Sequence, residues 1–347
     1  MTDFASRLEA WYAEHGRQLP WRTTKDPYRI WISEIILQQT RVAQGYDYYR
    51  RFIERFPSVE ALAFAAQDDV MQQWEGLGYY SRARNLHAAA KQVVEQGAFP
   101  EDYAGVRALK GVGDYTAAAI CSFAYNLPHA VVDGNVYRVL SRVFGIATPI
   151  DTTAGKKEFA ALAQELLDTR HPALYNQAIM DFGALQCVPR SPQCTSCPLA
   201  DACVARAEDR REEWPVKSKR TAVKERFLAY VIILEESAPE ARAIYIHRRS
   251  EGDIWAGLYE PLLIETNHRA EMSEVVPEGY KVVGAVEGLK HQLTHRTLLA
   301  DAYIVKKEDN ASGIALPEDF IKVDVGALAD YAAPRLVNII YERLLRA

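Results

Sequence analysis

Two carboxylic acids stand in unusual places in this sequence and could serve as an acid and an anion. Glu34 is the one charged residue in the apolar run 30–37. Apolar surroundings disfavour the ionised form, so the pKa of Glu34 should be raised, which suits a proton donor. Asp133 ends another apolar run where a helix should begin, and an N-cap carboxylate accepts N–H bonds that keep it ionised. This division suits acid catalysis combined with stabilisation of a cation.

Each of these positions also has a simpler explanation. Glu34 could lie on the one solvated stripe of its helix, and Asp133 could do no more than cap the helix that follows. Gln38, Gln39 and Thr40 are polar groups of the kind that contact base edges, although ordinary surface residues look the same. The residues alone leave these alternatives open.

Four of the five cysteines lie together between positions 187 and 203, which indicates a metal site. Cys187, Cys194, Cys197 and Cys203 follow the pattern Cys-x6-Cys-x2-Cys-x5-Cys. Zinc sites usually pair two Cys-x2-Cys elements and only one occurs here, so the spacing favours a 4Fe-4S cluster. The alternative is a set of reduced structural cysteines.

A Gly-Val-Gly turn at 111–113 joins two predicted helices, 103–109 and 114–124. Gly111 and Gly113 would let the backbone approach a ligand closely, and the start of the second helix presents free N–H groups to a phosphate. The arrangement favours a helix-hairpin-helix clamp on the DNA backbone over a plain turn.

Helical periodicity must position all of these residues. Before the cysteines it predicts a helix from Phe4 to Gly16 and no strand pairs, with further helices over 58–74, 82–95, 134–144 and 156–168. After position 226 the segments become short and rich in Val, Ile, Leu and Tyr. They predict an α+β domain with strands over 226–234, 243–247, 259–264, 280–286 and 298–305, and helices at 268–275 and 334–345. The highly charged residues 206–226 are predicted to form an exposed linker.

Composition sets the limits of this interpretation. The 347 residues are 49% hydrophobic and 25% charged, which is enough for two cores and excludes a single small domain. No apolar run spans a membrane and no signal pattern begins the chain, so a cytoplasmic protein is expected. The net charge of −5 lies mostly in the last third of the chain. DNA binding would therefore depend on local basic residues, namely Arg22, Arg41, Arg82, Arg84, Lys110 and Arg138.

The whole chain resembles the MutY-type adenine DNA glycosylases of the helix-hairpin-helix superfamily. The resemblance is carried by residues 19–22, 31–40, 76–86, 109–118 and 133–136 and by the four cysteines. It implies a multidomain protein with an all-α glycosylase domain and cluster loop over 1–205, made of a six-helix module at about 23–126 and a cluster module of 1–22 plus 127–205. A linker at 206–226 and an α+β, Nudix-like 8-oxoguanine recognition domain at 227–347 would follow.

The resemblance also implies a reaction. The substrate would be double-stranded DNA in which adenine is paired with 8-oxoguanine or guanine. The protein would act as a monomer and associate with the nucleoid. The adenine would be flipped out, protonated by Glu34 and released, while Asp133 stabilises the oxocarbenium-like sugar. Other site residues follow by resemblance: Tyr115 and Asn135 orient the centre, Arg22 and Gln177 line the adenine pocket, and Gln39 and Tyr79 enter the DNA near the lesion.

Two departures from related patterns sharpen the prediction. Endonuclease-type members carry a Schiff-base lysine where this chain has Tyr115, so a monofunctional enzyme without efficient strand nicking is expected. Many bacterial relatives have Phe-Ser-His where this chain has Leu293, Thr294 and His295. The hydroxyl and imidazole that would recognise 8-oxoguanine are kept, whereas the aromatic ring is lost. Residues 227–347 contain no Nudix box, so nucleotide hydrolysis is not expected.

Two other functions share parts of this pattern. A thymine mismatch glycosylase would share the cluster, Tyr115 and Asp133, but Glu34 and the extra C-terminal domain weigh against it. A non-enzymatic DNA-binding scaffold would use the hairpin and cluster without chemistry. Replacing Glu34 by Gln separates catalysis from the scaffold, because only catalysis needs its proton.

Overall fold

The computed structural model describes residues 2–218, 223–238, 241–308 and 313–345. Contacts along the backbone divide the chain into two units. The first, here called the helical unit, comprises Met1–Phe64 and Asn85–Arg220. The second, here called the sheet unit, comprises Ala65–Arg84 and Thr221–Ala347. A stretch that precedes the hairpin in sequence thus belongs by its contacts to the sheet unit.

The described part of the chain before position 219 contains helices and turns but no strand, as predicted. Its α-helices are α1 Thr2–His15, α2 Pro27–Ile36, α3 Val42–Arg55, α4 Val59–Ala63, α5 Gln67–Gln73, α6 Ser81–Gln96, α7 Tyr103–Ala108, α8 Asp114–Tyr125, α9 Gly134–Phe144, α10 Thr153–Leu166, α11 Pro172–Leu185 and α12 Val204–Ala207, with a 3-10 turn at Pro20–Arg22. No helix among the described residues has the length and apolar character needed to cross a bilayer.

The single helix predicted over 58–74 is wrong, because two helices occupy this stretch. α4 ends after Ala63, and α5 begins anew from an extended Ala66. Asp68 and Asp69 lie in the first turn of α5, where acidic side chains interact favourably with the free N–H groups of a helix start.

α2 is the central helix of the helical unit and carries Glu34. Asp26 caps it by accepting the N–H of Tyr28, and Pro27 supplies its first position. Nearly every residue from Tyr28 to Ile36 is buried, and the helix packs against α3 and α8. A helix buried on all sides is a core helix, so every side chain it carries must be accommodated inside the protein.

The sheet unit contains a seven-stranded sheet with the order β3-β2-β1-β6-β5, to which β4 adds on β1 and β7 on β2. Its strands, and the helices that follow position 223, are β1 Lys224–Ala238, β2 Ala241–Arg248, β3 Tyr259–Glu260, β4 Leu262–Thr266, α13 Met272–Val275, β5 Tyr280–Gln292, β6 Arg296–Lys307, β7 Phe320–Asp324 and α14 Arg335–Leu344. β1 and β6 pair in parallel and the other pairs are antiparallel. The predicted α+β fold is confirmed.

Both faces of the sheet are covered, which explains the continuous apolar run in β1. Tyr230 and Ile232 pack on one face with Ile340 of α14, while Val231 and Ile233 pack on the opposite face. Alternate residues of a strand point to opposite faces, so a strand covered on both sides is apolar throughout. β7 was not predicted, because its pattern of exposed and buried residues is short and weak.

The segment after the cysteines, predicted to be an exposed linker, makes contacts with the helices before it. Trp214 is buried, and the N–H of Ile150 donates to the carbonyl of Val216 at 3.0 Å. Ser218 donates to the carboxylate of Asp151 through both its N–H and its hydroxyl. As far as Ser218, therefore, these residues pack on the helical unit.

Candidate active site

A cavity of about 660 Å³ lies within the helical unit and is lined by the predicted catalytic residues. Its size is that of a small-molecule binding site. The residues singled out in the sequence that share its wall include Arg22, Glu34, Tyr115, Asp133, Asn135 and Gln177. Glu34 comes from α2, Tyr115 from the start of α8 and Asp133 from the N-cap of α9, so three helices bring together residues that are distant in sequence.

Glu34 is only 7% exposed, so the alternative of a solvated position is wrong. The hydroxyl of Tyr115 donates to its Oε2 at 2.7 Å. Burial raises the pKa of Glu34 to about 7, against the lowering effects of the Tyr115 hydrogen bond and of Arg22, and the nearby Asp133 raises it further. Glu34 can therefore hold a proton near neutral pH.

Asp133 caps α9 as predicted. Its Oδ1 accepts the N–H groups of Asn135 and Val136, each at 2.8 Å, and its Oδ2 accepts the side-chain amide of Asn135 at 2.8 Å. The sequence predicts that these hydrogen bonds favour the anion, but burial outweighs them and the charge of Arg138, and the pKa of Asp133 is raised. Three N–H groups nevertheless donate to this carboxylate, whereas the Glu34 carboxyl accepts from the Tyr115 hydroxyl. Hydrogen bonds therefore stabilise the anion of Asp133 more than that of Glu34.

Asn135 is held from behind by Arg138, which also contacts the cysteine segment. Nη2 of Arg138 donates to Oδ1 of Asn135 at 2.8 Å and to the carbonyl of Gly183 at 2.6 Å. Its Nε donates to the carbonyl of Cys187 at 2.8 Å. A Cβ at Gly183 would lie 2.6 Å from that of Asn135, so the close approach of α11 requires glycine. Arg138 is a buried structural residue and not the surface cation expected from the sequence.

The structure adds Asp181 of α11, which is not among the residues predicted from the sequence. Its side chain is fully buried, and its two oxygens accept from Nη1 and Nη2 of Arg22, both at 2.7 Å. Arg17 donates to the same carboxylate through its backbone N–H and its Nε, each at 2.9 Å. Asp181 interrupts an apolar stretch just as Glu34 does. The same signal could therefore have found it.

Gln177, also on α11, faces the cavity with a fixed amide. Its Oε1 accepts the hydroxyl of Tyr12 at 3.0 Å, and Tyr12 in turn accepts from Nη1 of Arg22 at 3.3 Å. This contact leaves the NH₂ group of Gln177 as the part that could meet a ligand.

The hairpin between α7 and α8 has the conformation that its glycines suggest. Gly111 adopts a φ of 77°, and a Cβ there would lie 2.6 Å from that of Asn85. Both the backbone conformation and the lack of space therefore require glycine. A Cβ at Gly113 would meet nothing within 4 Å, which leaves open space beside the first N–H groups of α8. Lys110 is exposed next to them.

Gln39 and Tyr79 share an unusual backbone conformation. Their φ angles are 62° and 48°, in the left-handed region that residues other than glycine rarely adopt. Both side chains are exposed. Such strain persists only where the surrounding structure imposes it, and it is concentrated at functional sites. Gln39 lines the cavity of the helical unit, whereas Tyr79 belongs to the sheet unit.

Tyr79 contacts the second predicted site. Its hydroxyl hydrogen-bonds with that of Thr294 in the turn between β5 and β6. The turn is closed by a 2.8 Å bond from the N–H of Leu293 to the carbonyl of Arg296, and it exposes Thr294 and His295. Leu293 packs against the hydrophobic core.

The four clustered cysteines line one cavity. Within the described part of the chain, no three His, Cys, Asp or Glu side chains converge closely enough for a single metal ion. Arg142 donates to Sγ of Cys187 at 3.4 Å. Burial raises the pKa of Cys197 to about 11 and that of Cys203 in the same direction, so bound metal would have to displace their protons. Four thiols around one cavity, with a guanidinium beside them, fit a thiolate-bound cluster.

Comparison with known proteins supports the helix-hairpin-helix assignment. Residues 32–168 match the family of HhH-GPD superfamily base excision DNA repair proteins. The solved structure of a thermostable thymine-DNA glycosylase is 29% identical, with a TM-score of 0.55, and covers 59% of this chain and 95% of that one.

Relatives that are adenine DNA glycosylases match this chain at higher sequence identity. An adenine DNA glycosylase from Buchnera aphidicola subsp. Baizongia pistaciae is 34% identical over 299 residues, which are 85% of this chain and 84% of that protein. The adenine DNA glycosylase of Mus musculus is 42% identical over 216 residues, or 59% of this chain and 42% of that protein. This chain thus belongs to the adenine DNA glycosylases of the HhH-GPD superfamily and removes adenine from DNA in base excision repair.

Proposed function

We propose that this enzyme removes adenine paired with 8-oxoguanine or guanine from duplex DNA, and that Glu34 and Asp133 carry the chemistry. The observation that carries the proposal is the meeting of these two carboxyl groups in one cavity of about 660 Å³. An adenine flipped out of the helix would enter that cavity, at an unpairing cost of a few kcal/mol that is least at a mismatch.

The reaction follows from the protonation of the two acids. Glu34 transfers its proton to N7 of adenine, the bond from N9 to C1′ of the sugar breaks, and its electron pair leaves with the base. Asp133 stabilises the cationic sugar, with Asn135 holding its Oδ2 in place. Water then adds to C1′ and gives a proton to the Glu34 carboxylate, which restores the acid. Tyr115 keeps the Glu34 carboxyl oriented through its 2.7 Å hydrogen bond.

The remaining predicted residues fit roles in binding. Arg22 and Gln177 would contact the adenine in the cavity wall, and Gly111, Gly113 and Lys110 would bind the DNA backbone through N–H groups and charge. Gln39 and Tyr79, whose backbones are strained and whose side chains are exposed, would enter the DNA helix near the lesion.

Thr294 and His295 would recognise 8-oxoguanine. A hydroxyl and an imidazole, both exposed, offer donors and acceptors to the oxidised base. Leu293 is occupied by core packing and would not stack on it.

The cysteines would hold a 4Fe-4S cluster. Cys187, Cys194, Cys197 and Cys203 line one cavity and supply four sulfur ligands, the number that a 4Fe-4S cluster takes. When bound, the cluster would contribute electron-transfer capacity and a rigid cross-link of its loop. Freshly purified protein should absorb in the visible-violet region and contain about four irons per chain.

Base release measures the proposed specificity directly. Duplexes carrying adenine opposite 8-oxoguanine, guanine, cytosine or thymine are incubated with excess enzyme, and release is measured after hot alkali. We expect the fastest release opposite 8-oxoguanine, slower release opposite guanine and little opposite thymine. Equal rates opposite guanine and 8-oxoguanine would contradict the recognition step. Strand cleavage before alkali would contradict a monofunctional enzyme.

A further inference from the structure

We propose that Asp181 is a positioning residue of this reaction: it fixes Arg22 in the cavity wall and neutralises part of the positive charge that faces Glu34. The inference rests on the proposed acid role of Glu34. It assigns a task to a carboxylate that does not line the cavity and lies behind the residues that do.

Asp181 is a buried carboxylate that accepts hydrogen bonds from two arginines. Asp181 is 0% exposed, and its two oxygens accept from both terminal nitrogens of Arg22 at 2.7 Å in a bidentate pair. Arg17 contributes a second guanidinium and its own backbone N–H to the same carboxylate. A planar guanidinium held at both ends has its direction fixed.

Arg22 is further restrained by groups on either side. Its Nη1 donates to the carbonyl of Arg17 at 3.0 Å and to the hydroxyl of Tyr12 at 3.3 Å. Because Arg22 itself lines the cavity, any rotation of its guanidinium would change the surface offered to the adenine. The first consequence of the ion pair between Asp181 and Arg22 is therefore that the Arg22 guanidinium keeps its position in the cavity wall.

The second consequence is electrostatic. Arg17, Arg22 and Asp181 together carry one net positive charge, whereas without the carboxylate they would carry two. Positive charge near Glu34 favours its anion, and Arg22 already lowers its pKa. The same charge would oppose a cationic sugar in the cavity. The other charged or titratable groups around the cavity are Tyr12, Arg41, Tyr115, Asp133 and Arg138.

The test uses substitutions that change charge in opposite directions. Asp181→Asn adds a net positive charge to the trio, Arg17→Gln removes one, and the double variant has the wild-type balance. The readout is the single-turnover rate of adenine release between about pH 5 and 9, with folding checked by circular dichroism.

We expect Asp181→Asn to move the alkaline decline of the rate to lower pH by about one unit, and Arg17→Gln to move it to higher pH. The double variant should return it close to the wild-type position. A decline that stays in place in all three variants, with rates lowered equally at every pH, would overturn the inference and leave Asp181 a purely structural residue.

Two further outcomes are informative. If Asp181→Asn does not fold, Arg17→Gln alone decides: an upward shift supports the proposal, and an unmoved decline overturns it. A wild-type profile with no decline at all would instead contradict the acid role of Glu34, which separates failure of the proposed function from failure of this inference.

Discussion

The cavity of the helical unit and the β5–β6 turn of the sheet unit place their polar groups in opposite environments. In the cavity wall Glu34 is withdrawn from water, as is Asp181 behind it, so each charge interacts strongly with its neighbours and each missing partner is costly. At the turn, Thr294 and His295 are exposed, and solvent weakens every interaction they make. Burial suits the bond-breaking step, whereas exposure suits recognition of a base. Substitutions should therefore have large effects in the first region and small ones in the second.

The largest effect is expected from Glu34→Gln. The amide keeps the size of the side chain but has no proton to transfer, so adenine release should fall by about 10³-fold. Single-turnover assays measure the rate, and gel shift on the same duplex should show that DNA binding is retained. Glu54→Gln, at an exposed position of α3, is the matched control and should leave the rate unchanged. A Glu34→Gln rate within tenfold of wild type would contradict the expectation that substitutions in the cavity have larger effects than substitutions at the turn.

The next largest effect is a pH dependence confined to the cavity. Burial raises the pKa of Glu34 to about 7, so its proton is present below that pH and is lost as the pH rises through it. Adenine release should therefore fall by about tenfold per pH unit above about 8. The raised pKa of Asp133 adds a decline on the acid side, at higher pH than for an ordinary aspartate. A rate that keeps rising to pH 9 would contradict the assignment.

A smaller and selective effect is expected at the turn. His295→Ala should reduce the preference for 8-oxoguanine over guanine by about tenfold, the worth of one or two hydrogen bonds. The rate at adenine opposite guanine should change little, because the cavity is untouched. His268→Ala, another exposed histidine of the sheet unit, serves as the control. Equal losses on both substrates would indicate damage to the unit and not lost recognition.

The smallest effect is expected behind the turn. Asp253 accepts from Arg296 at 2.7 Å and also from Arg226 and Arg249. Although burial acts in the opposite direction, the hydrogen bonds from Arg226 and Arg296 hold the pKa of its carboxyl well below its usual range. Arg296→Gln removes one partly exposed partner, so the preference for 8-oxoguanine should fall by only about threefold. Arg335→Gln, which breaks an exposed pair with Glu342, is the matched control and should have no effect. A loss as large as that of His295→Ala would mean that Arg296 itself contacts the base.

The predictions from the sequence were most accurate for features that depend on neighbouring residues. The glycine turn at 111–113, the N-cap at Asp133 and the apolar run around Glu34 each depend on residues within a few positions, and the structure has each of them as expected. The α+β character of the last third followed from a change of period. The break at Phe64 and the short strand β7 were missed, because weak local patterns are decided by packing.

What the sequence by itself determined was therefore the set of elements and the chemistry that their residues carry. Only the tertiary structure decided which groups meet: the pairing of Arg22 with Asp181 joins residues 159 positions apart. It also decided that burial raises the pKa of Asp133 despite its capping bonds. The reason is physical, since helix caps and periodicity are fixed by neighbours along the chain. Desolvation and charge pairing depend instead on which distant side chains exclude water from the same place.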